Sequence, residues 1–98
     1  MLNVVQFPTD AETTDPVFFH KHQLRVGTAL RYYGRTAAGS LWFVTGIFTT
    51  NQGRHVPRQE TFPQTLTDLI RIKNHDTQQV RFMSFQYLSY SSLYRIEE

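Results

Sequence analysis

Residues 23–36, QLRVGTALRYYGRT, alternate in character, and that alternation constrains the fold more than any other feature of the chain. Leu24, Val26, Thr28, Leu30 and Tyr32 share one parity, while Arg25, Gly27, Ala29, Arg31, Tyr33 and Arg35 share the other. A strand sends successive side chains to opposite faces, so the pattern reads as a half-buried β-strand with its apolar face inward and its arginines outward. Glycines at 27 and 34 and the paired tyrosines count against a helix here. The following TAAGS (36–40) supplies a turn.

LWFVTGIFTT (41–50) is apolar on both parities and rich in β-branched and aromatic residues, as expected of a central strand covered on both sides. Gly46 in its middle points to a bulge. Asn51, Gly53, Pro57 and Pro63 make the next connection a long loop, with room for one short strand around His55 to Gln59. TLTDLIRIKN (65–74) reads two ways. Thr65 with Asp68 resembles a helix cap ahead of Leu66, Leu69, Ile70 and Lys73, whereas Asp68, Ile70 and Ile72 against Leu69, Arg71 and Lys73 form a strand pattern. The strand is preferred, because NHDT (74–77) is turn chemistry and QQVRFMSF (78–85) alternates again, giving a hairpin with Val80 and Phe82 inward and Gln79 and Arg81 outward. In SFQYLSYSSLYRI (84–96), four serines weaken a full helix. The preferred reading is a one-turn 3₁₀ segment over 87–92 and a short last strand over 93–96.

Taken together, the elements predict a mainly all-β domain: a small five-stranded barrel with a 3₁₀ turn before the last strand. The alternative is α+β with a short helix around residues 65–74. Trp42, Phe43, Phe48, Phe82, Phe85 and Tyr94 are the expected core. The order of elements over about residues 22–96 resembles a Src-homology-three-like small barrel; the likeness is topological and brings no site residues with it. Residues 1–16 read as an arm or edge strand and 17–98 as the single barrel domain. Within the arm, NVVQFP (3–8) resembles leader segments of bacterial and mobile-element proteins, which implies such an origin.

Composition narrows the function classes. Without cysteine there is no disulfide, thiolate metal site or cysteine nucleophile, and a cytoplasmic location is the expectation. No apolar run approaches the roughly 20 residues of a membrane span, so no membrane partner is expected. His20 and His22 would point the same way on a strand, but the carboxylate and third histidine of a metal site do not follow them, and no metal or other cofactor is expected. His75 beside Asp76 lies in the expected hairpin turn, where both serve backbone geometry. No phosphate loop or nucleophile elbow is present, so the chain is read as a binding module and not an enzyme.

Net charge is only +2, but residues 16–96 hold all ten basic side chains against Glu60, Asp68 and Asp76, and eight of the ten are arginine. Arginine's planar fork suits phosphate and carboxylate. Parity and loop position nominate Arg25, Arg31, Tyr33, Arg35, Arg54, His55, Arg58, Arg71, Lys73 and Arg81 as a contact surface, with Arg95 also outward. The expected partner is an anionic macromolecule, nucleic acid first, with arginines on phosphate and Tyr33 stacked on a base. The alternative is an adaptor or inhibitor that docks an acidic protein surface, and the arm or an edge strand would also permit homo-oligomerisation.

Overall fold

The computed structural model describes residues 24–97, so the expected arm and the His20/His22 pair lie outside the described residues. Among the described residues, six strands and one helix follow in the order β1 (Ala29–Tyr32), β2 (Leu41–Asn51), β3 (Arg54–Pro57), β4 (Leu69–Asn74), β5 (Val80–Ser84), α1 (Phe85–Tyr90) and β6 (Tyr94–Ile96). Every pairing is antiparallel. The sheet runs β5-β4-β2-β1-β6, and β3 pairs the far half of β2. The described residues are thus mainly β, with one strand more than the five expected. The sheet is not closed into a barrel, because no ladder joins β5 to β6. Side chains span that seam instead: Arg81 Nη1 donates to the Tyr94 hydroxyl at 2.8 Å.

Two backbone features set the layout. Gly27, at φ +97°, sits in a tight turn in which the Thr28 amide donates to the Arg25 carbonyl at 2.9 Å. That conformation is open to glycine and costly for other residues. The turn shortens the first strand to four residues and leaves Val26 exposed, although parity had placed it inside; Leu24 and Leu30 are buried as expected. The second feature is a bulge in β2, where Val44 opposes Ile72 but Gly46 opposes Arg71, with Thr45 as the extra residue. Beyond a bulge, the inward and outward parities of a strand exchange.

Residues 65–74 resolve as turn followed by strand. The Thr65 hydroxyl donates to Asp68 Oδ1 at 3.0 Å and the Asp68 amide donates to the Thr65 carbonyl at 3.2 Å, closing one turn that does not propagate. Ile70 and Ile72 are then fully buried, alternating with half-buried Leu69, Arg71 and Lys73. Asn74 Oδ1 accepts from the amides of Asp76 and Thr77 at 2.8 and 2.9 Å, which sets the hairpin turn and with it the register of β5. That register pairs Ile72 with Arg81 and Arg71 with Phe82. The β5 expectation is therefore reversed: Val80 and Phe82 face outward, and Arg81 and Met83 turn toward the core side.

The segment after β5 is an α-helix and not a 3₁₀ turn, and it starts two residues earlier than expected. Ser84 caps it by accepting from the Tyr87 amide at 3.0 Å. Phe85 and Leu88 fill the space under the sheet beside Leu24, Leu30, Trp42, Val44, Ile47, Ile70, Ile72 and Tyr94. Each such side chain contributes about 1.5–3 kcal/mol on burial, so this single cluster dominates the stability. Of the six aromatics expected in the core, Trp42, Phe85 and Tyr94 are there, Phe43 and Phe48 are half-buried, and Phe82 is exposed.

Candidate nucleic-acid interface

The aromatics displaced from the core share the opposite face of the sheet. Phe43 pairs with Lys73 and Lys73 with Val80; Gly46 pairs with Arg71 and Arg71 with Phe82; Phe48 pairs with Leu69 and Leu69 with Ser84. Directly opposed residues in an antiparallel ladder lie on the same face, so three phenylalanines, Arg71 and Lys73 form adjoining rows. None of the residues in these rows is acidic. Phe43 and Phe48 are five residues apart, an odd separation that would place them on opposite sides of an unbroken strand. The bulge at Thr45 brings them to the same side.

Arg71 lies flat across the face. Its Nε donates to Thr45 Oγ1 at 3.0 Å, its Nη2 donates to the Thr45 carbonyl at 2.9 Å, and its Cζ stands 5.2 Å from the Phe48 ring centroid. Glycine at 46 is what permits this. A Cβ there would come within 3.0 Å of both Arg71 Nη2 and Phe48 Cε1. Phe48 and Phe82 are 6.0 Å apart between ring centroids, and the His75 ring meets Phe43 edge-on at 5.6 Å. Phe82 is 53% exposed and Val80 46%, so the rows are open to a ligand.

Across β1 and β6 the same face continues through Arg31, paired in register with Leu41 and Arg95. Arg95 stacks on Tyr33 at 5.1 Å. Arg31 is partly engaged, because its Nε and Nη2 donate to Glu97 at 3.1 and 2.9 Å and its Nη1 donates to the Gly39 carbonyl. The Glu97 hydrogen bond leads in raising Arg31 above its ordinary pKa and, reciprocally, in lowering that of Glu97.

Of the ten residues nominated from sequence, the sheet collects Arg31, Arg71 and Lys73 on one face, with Tyr33 at the rim. His55 pairs with Thr50 and so shares the parity of Phe48, whereas Arg54 takes the other side of the β2–β3 ribbon. Arg25 and Arg35 are exposed in connections outside this face. Arg58 is largely withdrawn from solvent, forking onto Asp68 at 2.6 and 3.1 Å and donating to Thr49 Oγ1 at 3.2 Å. Arg81 lies on the core side. The members that sequence reasoning missed as surface groups are Phe43, Phe48, Phe82 and Val80. The usable signal was Gly46 between Phe43 and Phe48, since a bulge there changes their relative parity.

Among the described residues, no helix is long and apolar enough to cross a membrane, and no group of three or more His, Asp or Glu is placed to hold a metal ion. No protein-family model, curated protein or solved structure matches this chain.

Proposed function

We propose that the chain is a non-enzymatic binding module whose exposed sheet face holds a single nucleic-acid strand. Bases stack on Phe43, Phe48 and Phe82, and phosphates lie against Arg71, Lys73 and Arg95, with Arg31 contributing at the margin. One observation carries this reading: in the rows of β2, β4 and β5, aromatic and cationic side chains interleave with no carboxylate among them, and Glu97 enters only at the Arg31 margin. Rings accept any base through its π-face, at about 1–3 kcal/mol per stacked base, and cations bind phosphate by releasing counterions. Strong salt dependence and little sequence preference follow.

The test is fluorescence anisotropy of the full chain with labelled single-stranded oligonucleotides at low and raised salt. Saturable binding that weakens steeply with salt is expected, and Phe82→Ala, which removes an exposed ring outside the buried core cluster, should weaken it about tenfold. Absence of saturable binding at low salt, or an unaltered Phe82→Ala affinity, overturns the reading.

A docking module for an acidic protein surface is the second reading. It is favoured by β5, an edge strand with apolar Val80 and Phe82 exposed. Recovery of a stoichiometric protein from nuclease-treated lysate, lost on Phe82→Ala, would select it. Kinship with Src-homology-three-like barrels is supported by the path β5-β4-β2-β1-β6 and by the helix before the last strand, while the open seam departs from it. The bacterial or mobile-element origin rests on residues 3–8 alone.

A further inference from the structure

The seam where the sheet fails to close holds a cleft of about 430 Å³, lined by Tyr32, Arg81, Met83, Ser84, Tyr87, Leu93 and Tyr94. It lies on the core side of β5, away from Phe82 and its neighbours. Its one charged wall is Arg81, and the surroundings of that guanidinium are unusual. Its Cζ stands 4.5 Å from the Trp42 ring centroid and 5.7 Å from that of Tyr32, and its Nη1 donates to the Tyr94 hydroxyl. Among the described residues no carboxylate lies within ion-pair distance of it, whereas Arg31 and Arg58 both have carboxylate partners.

A half-buried cation is ordinarily matched by an anion, because π-faces and one phenol return only part of the hydration it gives up. The rest of the cleft is aromatic and apolar. Tyr32 and Tyr94 meet at 5.0 Å between centroids on one wall, and Tyr87, 47% exposed, stands at the rim. A volume of this size suits a small molecule and not a folded partner. We infer that the cleft is a binding site for a small organic anion with a flat ring, seated against the tyrosines with its carboxylate or phosphate on Arg81. The ring answers the tyrosine walls and Met83. The anion completes the half-compensated guanidinium, whose remaining N–H groups donate to it as a fork.

The test is calorimetric titration of the full chain with 3-phenylpropionate and phenyl phosphate, with 3-phenylpropanamide as the uncharged control. An anion should bind at least about tenfold tighter than the amide, the difference of one charge-assisted hydrogen-bonded contact. Whichever anion binds tighter identifies the group that Arg81 prefers. Arg81→Met, which keeps a flexible apolar stem over Trp42, should bring anion and amide to equal affinity, with a melting curve confirming the fold. Tyr87→Ala removes a rim ring that is 47% exposed and lies outside the buried core cluster, and it should weaken the tighter anion severalfold, so the inference stays testable should Arg81→Met fail to fold. Saturation by neither anion, equal affinity for anion and amide, discrimination that survives Arg81→Met, or an unaltered Tyr87→Ala affinity overturns it. Phe82→Ala should leave the anion titration unchanged, which separates this site from the sheet face.

Discussion

The loop between Arg58 and Asp68 and the seam between β5 and β6 each draw a guanidinium out of water, and they compensate it in different ways. In the loop, side chains 17% and 1% exposed close a bidentate ion pair, and Asp68 also accepts from the Gln64 amide at 2.8 Å and from the Thr65 hydroxyl. In the seam, Arg81 meets two ring faces and one phenol. A buried ion pair is mutually dependent, since either charge alone would be stranded in a poor solvent. Ring faces supply only about 0.5–2 kcal/mol, which leaves a cation able to accept a stronger partner. The first arrangement fastens a loop, and the second is suited to receive a ligand.

Removing one charge from the loop pair is the severest way to break the comparison. Asp68→Ala should cost about 3–5 kcal/mol in urea unfolding, because Arg58 is left mostly buried with only the more exposed Glu60, at 3.7 Å, to answer its charge. A loss below about 1 kcal/mol would mean that Arg58 swings out to water and that the two regions are alike. Acid probes the same pair more gently. Burial acts to raise the Asp68 carboxyl, but hydrogen bonds from Arg58, Gln64 and Thr65 outweigh it and hold the folded-state value below the ordinary 3.8. A lowered folded value places this stabilisation fully above the ordinary carboxylate range and drains it as pH falls through the folded value, below about pH 4. Melting temperature should therefore fall more steeply there in the wild type than in Asp68→Asn; parallel curves would exclude the pair as the cause.

In the seam the effect should be smaller. Arg81→Met gives up a cation–π stack and one hydrogen bond, about 1–2 kcal/mol in the same assay, and a loss as large as that of Asp68→Ala would show that Arg81 is as structural as Arg58. The exposed pair sharpens the lower end. Arg31 and Glu97 are solvated and screened, so Glu97→Gln should leave the melting temperature unchanged. A measurable drop would make the sheet edge at β6 more tightly held than its exposure implies.

Several of these features were legible in the sequence. The alternation of Ile70 and Ile72 with Arg71 and Lys73 identified a strand, the NHDT run identified its turn, and Gly46 marked the bulge. The mixed aromatic and cationic sheet face was not legible, because Phe43, Phe48 and Phe82 look like core residues to any count of hydrophobicity. In β5, Val80 and Phe82 compete with Met83 for the interior. The competition is decided by the turn at Asn74, which sets Arg71 against Phe82 and Ile72 against Arg81. Gly27 delayed the start of the first strand for a similar reason: alternation runs through the sequence from Leu24, but a backbone at positive φ does not belong to a strand.

By itself, the sequence determined that the chain is β-rich, where it turns, and that its arginines outnumber nearby carboxylates. Those are properties of residues and their immediate neighbours, set by dihedral preference, side-chain alternation and composition. Tertiary structure decided which parity of β5 is buried, that three phenylalanines share a face with Arg71 and Lys73, and that Arg58 and Arg81 have different surroundings. The physical reason is register: one bulge and one turn exchange the faces of whole strands, and only pairing between distant segments settles which face meets water.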